Sequence, residues 1–98
     1  MFYNKPKGMT YTQMAMWVDE NAYSPDCDQQ KLYEYLYHLC YILAYKWRYF
    51  NTQRDYDDFG LYSASKMFQK YASGKSNIKS SLNYIKKVLR LYRAEFCK

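Results

Sequence analysis

Glycine and proline are almost absent from this chain, and that constrains its fold more than any other feature. Three glycines and two prolines in 98 residues leave too few turn formers for the frequent reversals of an all-β domain. The apolar residues recur at three- and four-residue steps, which places them along one side of a helix. The sequence therefore predicts an all-α fold, a compact bundle of about four helices. A short N-terminal helix and a long second helix precede two further ones. At this length the chain holds one core and one domain.

The first nine residues, with Pro6 and Gly8, read as an N-terminal arm, and residues 10–98 as a single helical domain. Lys5 and Lys7 in the arm are either phosphate contacts or an ordinary basic terminus. A helix is predicted from Tyr11 to Asn21, with Thr10 and Gln13 at the spacing of a capping box. Ser24-Pro25-Asp26 breaks the chain and is expected to open the second helix, with proline at its first position. That helix is predicted from Asp28 to Phe50. Leu32, Leu36, Leu39, Leu43 and Trp47 or Phe50 form its core stripe, with Tyr35, Cys40 and Ala44 beside it. Tyr33, Tyr37 and Tyr41 make an adjacent row that fits a core margin better than a platform for stacking bases. His38 reads as a partly exposed helix residue.

A polar connection, Asn51-Thr52-Gln53-Arg54, leads to a third helix from Asp55 to Ala72. Asp55, Asp57 and Asp58 open it, and carboxylates in a first turn complement the helix dipole. Phe59, Tyr62, Met67 and Phe68, with the small residues Ala64 and Ser65, supply surface for burial. Ala72-Ser73-Gly74-Lys75-Ser76 is the clearest loop, and a fourth helix starts near Ile78. This last segment has two stripes. Leu82, Ile85, Leu89, Tyr92 and Phe96 make one face, while Lys79, Lys86, Arg90 and Arg93 make another. Such a basic stripe is either a solvated face or a surface for phosphate.

Charge is distributed unevenly along the chain. From Lys66 to Lys98 nine cations face one anion, Glu95, a net +8. The overall charge is +6, so the first 65 residues sum to −2. A basic final third on a mildly acidic remainder suggests a nucleic-acid-facing surface and a separate protein-facing one.

The tyrosine count, 14 with 5 phenylalanines and 2 tryptophans, predicts a core whose rim carries hydroxyls seeking partners. Cys27, Cys40 and Cys97 show no close pairing, and His38 is the only histidine. The cysteines read as reduced thiols of a cytoplasmic protein, with Cys40 in the core. No zinc spacing exists, and no cofactor or metal is expected. Gly74-Lys75-Ser76 echoes the end of a phosphate-binding loop but lacks its earlier glycine and preceding strand. The aspartates have no partner acid or base, so an enzyme is not expected.

The order of these parts resembles region two of bacterial sigma factors. Leu36-Tyr37-His38-Leu39 and Leu43-Ala44-Tyr45-Lys46 lie on a long helix, followed by Asp57-Asp58-Phe59 and then Lys66-Met67-Phe68-Gln69-Lys70-Tyr71. Ala44 and Lys46 match the family's first helix, Asp57-Asp58-Phe59 the start of its Asp-Asp motif, and Lys66, Phe68, Lys70 and Tyr71 its Lys-aromatic ending. Asn83-Tyr84-Ile85-Lys86 falls where the family carries its promoter-melting helix. The similarity runs from Leu32 to Arg93. It departs from the family in a shorter interval after the Asp-Asp pair, in lacking the Gln-Glu-Gly element, and in Asn83 at a tryptophan position.

The resemblance implies a small sigma-like transcription factor, with the AT-rich, lysine- and tyrosine-laden look of a bacteriophage product. By that likeness, Asp57, Asp58, Tyr62, Ser65 and Gln69 would dock on the clamp region of the largest RNA polymerase subunit. Lys79, Lys86, Lys87, Arg90 and Arg93 would contact DNA, with Tyr84 stacking on an unpaired base. The alternative is a small helical DNA-binding protein, or a phage structural or assembly protein, with no polymerase partner.

Overall fold

The computed structural model describes residues 8–74 and 78–97, and each of its four helices begins at a side chain able to cap it. Helix α1 spans Tyr11–Asn21 behind Thr10. The Thr10 hydroxyl accepts from the Gln13 amide at 3.2 Å, and Gln13 Oε1 accepts from the Thr10 amide at 2.9 Å. Helix α2 spans Gln29–Lys46, α3 spans Gln53–Ser73 and α4 spans Ser81–Phe96. Their caps are Asp28, Thr52 and Ser80, each accepting an amide three residues on. Each such cap is worth about 1 kcal/mol. Most of the arm expected at residues 1–9 lies outside the described residues, as do Lys75 and Ser76 of the expected loop.

Several boundaries differ from the sequence expectation. Pro25 does not begin α2. It stays in the turn between α1 and α2, and Asp28 takes the cap. Gln53 and Arg54 belong to α3, because Thr52 caps one turn earlier than the aspartates would. Only Asp55 therefore stands in the first turn, and Asp57 and Asp58 occupy the second.

The largest difference is where α2 stops. It ends at Lys46 rather than Phe50. The Arg48 amide reaches back to the Tyr45 carbonyl at 3.1 Å, and the Tyr49 amide to the Ala44 carbonyl at 3.2 Å. This paired return is the Schellman arrangement, which needs a left-handed residue just past the helix. Arg48 adopts it, at φ 56°. For a residue with a β-carbon that conformation costs about 1 kcal/mol. At the end of α3 the same left-handed position is filled by Gly74, at φ 66°.

The core gathers around α2, whose Leu32, Leu36, Leu39, Leu43, Cys40 and Ala44 are buried as the periodicity predicts. Met14 and Val18 from α1, Phe59 and Met67 from α3, and Ile85 and Leu89 from α4 meet them. Trp47 does not join the stripe. Because α2 has already ended, its ring is 38% exposed. Phe50 folds back instead, packing on Phe59 with ring centroids 5.2 Å apart and on Phe96 at 5.7 Å. His38 corrects another expectation. It is 1% exposed, edge-on to the Tyr37 ring at 5.2 Å.

The tyrosine row of α2 forms the seam with α3, its largest partner. The Tyr37 hydroxyl, from a fully buried ring, donates to Asp57 Oδ1 at 2.9 Å. The Tyr33 hydroxyl donates to the Leu61 carbonyl at 3.1 Å and lies 2.6 Å from Ser65 Oγ. The Tyr41 hydroxyl accepts from Gln53 Nε2. Burial of each ring is thus combined with a satisfied hydroxyl, as a rim of tyrosine requires. At Gly60, where α3 passes Tyr37, the two helices come close enough that only glycine fits.

Helix α4 is held at both ends. Near its start the Ser81 amide donates to Asp19 Oδ1 at 2.7 Å, and the Ser81 hydroxyl donates to the Ala15 carbonyl at 3.2 Å. Near its end Glu95 accepts from the Tyr62 hydroxyl at 3.0 Å. These anchors fix which flank of α4 is left facing outward.

Candidate nucleic-acid interface

Lys86, Arg90 and Arg93 stand exposed along one flank of α4. At 100° per residue they fall within an arc of about 60°, adjacent to the buried Ile85–Leu89–Tyr92 face. Lys87, also exposed, lies further round on the outward side. Lys79 is exposed but precedes the Ser80 cap, so it is not part of the helical stripe. The helix starts later than the expected Ile78, and the cap is the physical reason: Ser80 receives the Asn83 amide, and the chain before it is not helical.

The basic flank does not stand alone. Trp47 and Tyr49, on the turn that follows α2, close it into a groove of about 510 Å3 with Lys86, Arg90 and Arg93. The Arg93 guanidinium lies over the Tyr49 ring, 4.6 Å from its centroid, an arrangement that holds a long cation in place without neutralising it. Trp47 leans on Tyr49 with centroids 5.7 Å apart at 50°. One wall of the groove is therefore cationic and the other aromatic. This pairing suits a single-stranded nucleic acid, whose phosphates and bases must be met together.

Tyr84 is not in this groove. It lies nine residues before Arg93, about half a turn away around the helix. Its ring packs at the core margin. Tyr84 thus shares α4 with the cations but not their side.

The five α3 positions divide in a similar way. Asp58, Tyr62, Ser65 and Gln69 share one face of α3 by helical spacing, turned from the buried Phe59 and Met67. Asp57 does not share it. Its carboxylate turns toward α2 and accepts from Tyr37 and, at 3.2 Å, from Gln53. Ser65 Oγ donates to the Leu61 carbonyl at 2.9 Å and meets Tyr33. Tyr62 is half-buried against Phe96, with the Lys66 ammonium 5.5 Å from its ring centroid. Burial first, and then its acceptor Glu95, push the Tyr62 hydroxyl above its ordinary pKa. Gln69 is fully on the surface, and Asp58 pairs loosely with Arg54 at 3.9 Å. Two of the five side chains remain available.

Trp47 and Tyr49 had a signal in the sequence. Tyr45-Lys46-Trp47-Arg48-Tyr49 interleaves rings and cations one by one, a pattern with period two that does not belong to an amphipathic helix. Extending α2 to Phe50 hid it.

Among the described residues no group of His, Cys, Asp and Glu is placed to hold a metal ion, and no helix is long and apolar enough to cross a membrane. Cys40 is fully buried, which pushes its thiol far above the ordinary range. Comparison of the chain with protein-family models, curated proteins and solved structures finds no match.

Proposed function

We propose that this domain binds single-stranded DNA in the groove between α4 and the turn after α2, in the manner of a small sigma-like transcription factor acting in the cytoplasm of a bacterial host. The observation that carries this reading is the meeting of Lys86, Arg90 and Arg93 with Trp47 and Tyr49 in one cleft. The cations would take successive phosphates and Trp47 would carry a base, the role the sigma resemblance gave to Tyr84. RNA polymerase would be reached through the outward ridge of α3, at Asp58 and Gln69.

A second reading is favoured by α3 itself. Asp57 and Ser65 already serve the α2–α3 seam, which leaves a reduced docking ridge. A phage DNA-binding or assembly protein with no polymerase partner would need only the groove.

A fluorescence titration against a single-stranded oligonucleotide tests the groove. Lys86→Glu with Arg90→Glu should weaken binding and flatten its salt dependence, by a slope of about 0.7 for each phosphate that is no longer neutralised. An unchanged affinity and slope would reduce the stripe to a solvated face. A polymerase pull-down with Asp58→Ala and Gln69→Ala separates the two readings, since only the first expects capture by the unmodified chain and its failure in the variant.

A further inference from the structure

A second cleft lies on the other side of the same turn. Tyr45, Arg48, Phe50, Asn51 and Tyr56 line a space of about 380 Å3. Its residues interleave with those of the first groove along the chain: Trp47 and Tyr49 face one way, Tyr45 and Arg48 the other. No role in the reading above requires it.

Tyr45 is the most exposed ring among the large apolar side chains of the described residues, at 60%, yet it is held firmly. It lies parallel to Tyr41, with centroids 6.3 Å apart and planes 6° from each other, and leans on Tyr56 at 5.2 Å. The floor beneath it is locked too. The Tyr56 hydroxyl donates to the Phe50 carbonyl at 2.6 Å and accepts the Phe50 amide at 3.0 Å. A ring that is exposed but braced on two sides is a ready stacking surface, because little side-chain freedom remains to be given up when a base covers it.

Arg48 adds the cation. Its backbone takes the left-handed conformation that closes α2, where glycine would sit without strain. The side chain is thus carried at a position that does not need one for folding. Non-glycine residues held this way gather at functional sites. Asn51, exposed at the rim, offers both a donor and an acceptor to a base edge.

We propose that this cleft is a second nucleotide subsite, stacking a base on Tyr45 and binding its phosphate with Arg48, so that one DNA single strand crosses the turn from the Trp47 groove. The proposal rests on the reading of that groove as a single-strand site. Ring and cation repeat there the chemistry of the first groove on the far side of one turn, and Asn51 adds an amide.

The test is a titration of the full chain against oligothymidylates graded from dinucleotide to octanucleotide, with melting temperature followed in parallel. Tyr45→Ala should weaken the longer oligonucleotides at least about five-fold and leave the shortest unchanged. Arg48→Gly should lower the salt slope for the longer ones by about 0.7 while the melting temperature holds or rises. If both variants bind every length as the unmodified chain does, while Arg90→Glu weakens binding, the groove stands and the second subsite is overturned. Equal weakening at all lengths overturns it as well, since the two clefts would then be one site. If Arg90→Glu has no effect either, the underlying reading fails and this proposal falls with it.

Discussion

A β-carbon added to Gly60 would come within 2.8 Å of Cε1 of Tyr37. The obstacle cannot swing away cheaply. The Tyr37 ring is fully buried and its hydroxyl is bonded to Asp57 on the same α3 helix that carries Gly60. In most helices Gly→Ala is stabilising by about 0.5–1 kcal/mol. Here Gly60→Ala is expected to destabilise by about 1–3 kcal/mol, as overpacked cores do. Thermal unfolding followed by circular dichroism measures it. An increase in melting temperature would mean that α2 and α3 can separate slightly at no cost.

The neighbouring aspartates should behave as opposites. Asp57→Ala removes an acceptor from a buried hydroxyl and should cost about 1–3 kcal/mol. Asp58→Ala gives up only a surface pair with Arg54 and should stay within about 0.5 kcal/mol. Chemical denaturation of both variants reads the difference. It also decides which aspartate is a fair probe of polymerase docking, because only Asp58 is removable without disturbing the fold.

Trp47 and Tyr84 offer a similarly sharp contrast. Trp47→Ala should weaken single-stranded DNA binding by about 1–3 kcal/mol, with little effect on stability because the ring is partly exposed and off the core. Tyr84→Ala, checked for folding by circular dichroism, should leave DNA affinity unchanged, since the residue lies on the opposite flank of α4. Anisotropy titrations of the two variants settle it. Equal weakening would mean that the strand passes over the outward side of the helix, at Lys87, instead of through the groove.

Alkaline pH should unfold the domain from within. Burial raises the pKa of the Cys40 thiol, and burial followed by nearby anionic partners raises those of the Tyr71 and Tyr92 hydroxyls. A folded-state pKa above the unfolded value means that the fold keeps its proton longer than the unfolded chain does. Stability is therefore fully present below the unfolded values and declines as pH rises past them, from about 8.5 for cysteine and about 10 for tyrosine. For Cys40 the decline is about 1.4 kcal/mol per pH unit. Cys40→Ala should flatten the first part of the curve, whatever it costs at neutral pH. The Tyr71 hydroxyl is buried with no hydrogen-bond partner among the described residues. Tyr71→Phe should therefore hold or raise the melting temperature at neutral pH and flatten the later part. A pH-independent melting temperature up to about pH 11, beyond the ordinary range of both groups, would show that these groups are wetter than the structure makes them.

The helices were legible wherever a local signal acted alone. Thr10 and Gln13 predicted their capping box, and the leucines of α2 and the Ile85–Leu89–Tyr92 face of α4 predicted their own burial. Errors came where two local signals competed or where tertiary packing decided. Pro25 and Asp28 both suited the start of α2, and the residue with a free carboxylate took it. His38 looked polar, yet its neighbours on α2 carried it inside. The end of α2 was invisible because Arg48 stands where glycine would announce a stop. That concealment hides the aromatic wall of the candidate site: with α2 continued to Phe50, Trp47 or Phe50 closes the core stripe, and only the cations of α4 stand out. Asp57 joins the α3 group through the resemblance and not through spacing, which sets it about a quarter turn from Asp58, on the side that meets Tyr37.

Asp19 occupies the amino end of α4 through its bond to the Ser81 amide. A free helix amino end attracts phosphate, but this one already holds a carboxylate of the same chain. The cations of α4 therefore act without help from its amino end. A polyanion is met there by side chains alone, Lys86, Arg90 and Arg93, and not by free backbone amides of the first turn. Their guidance acts through the encounter rate and fades as salt shortens the reach of charge.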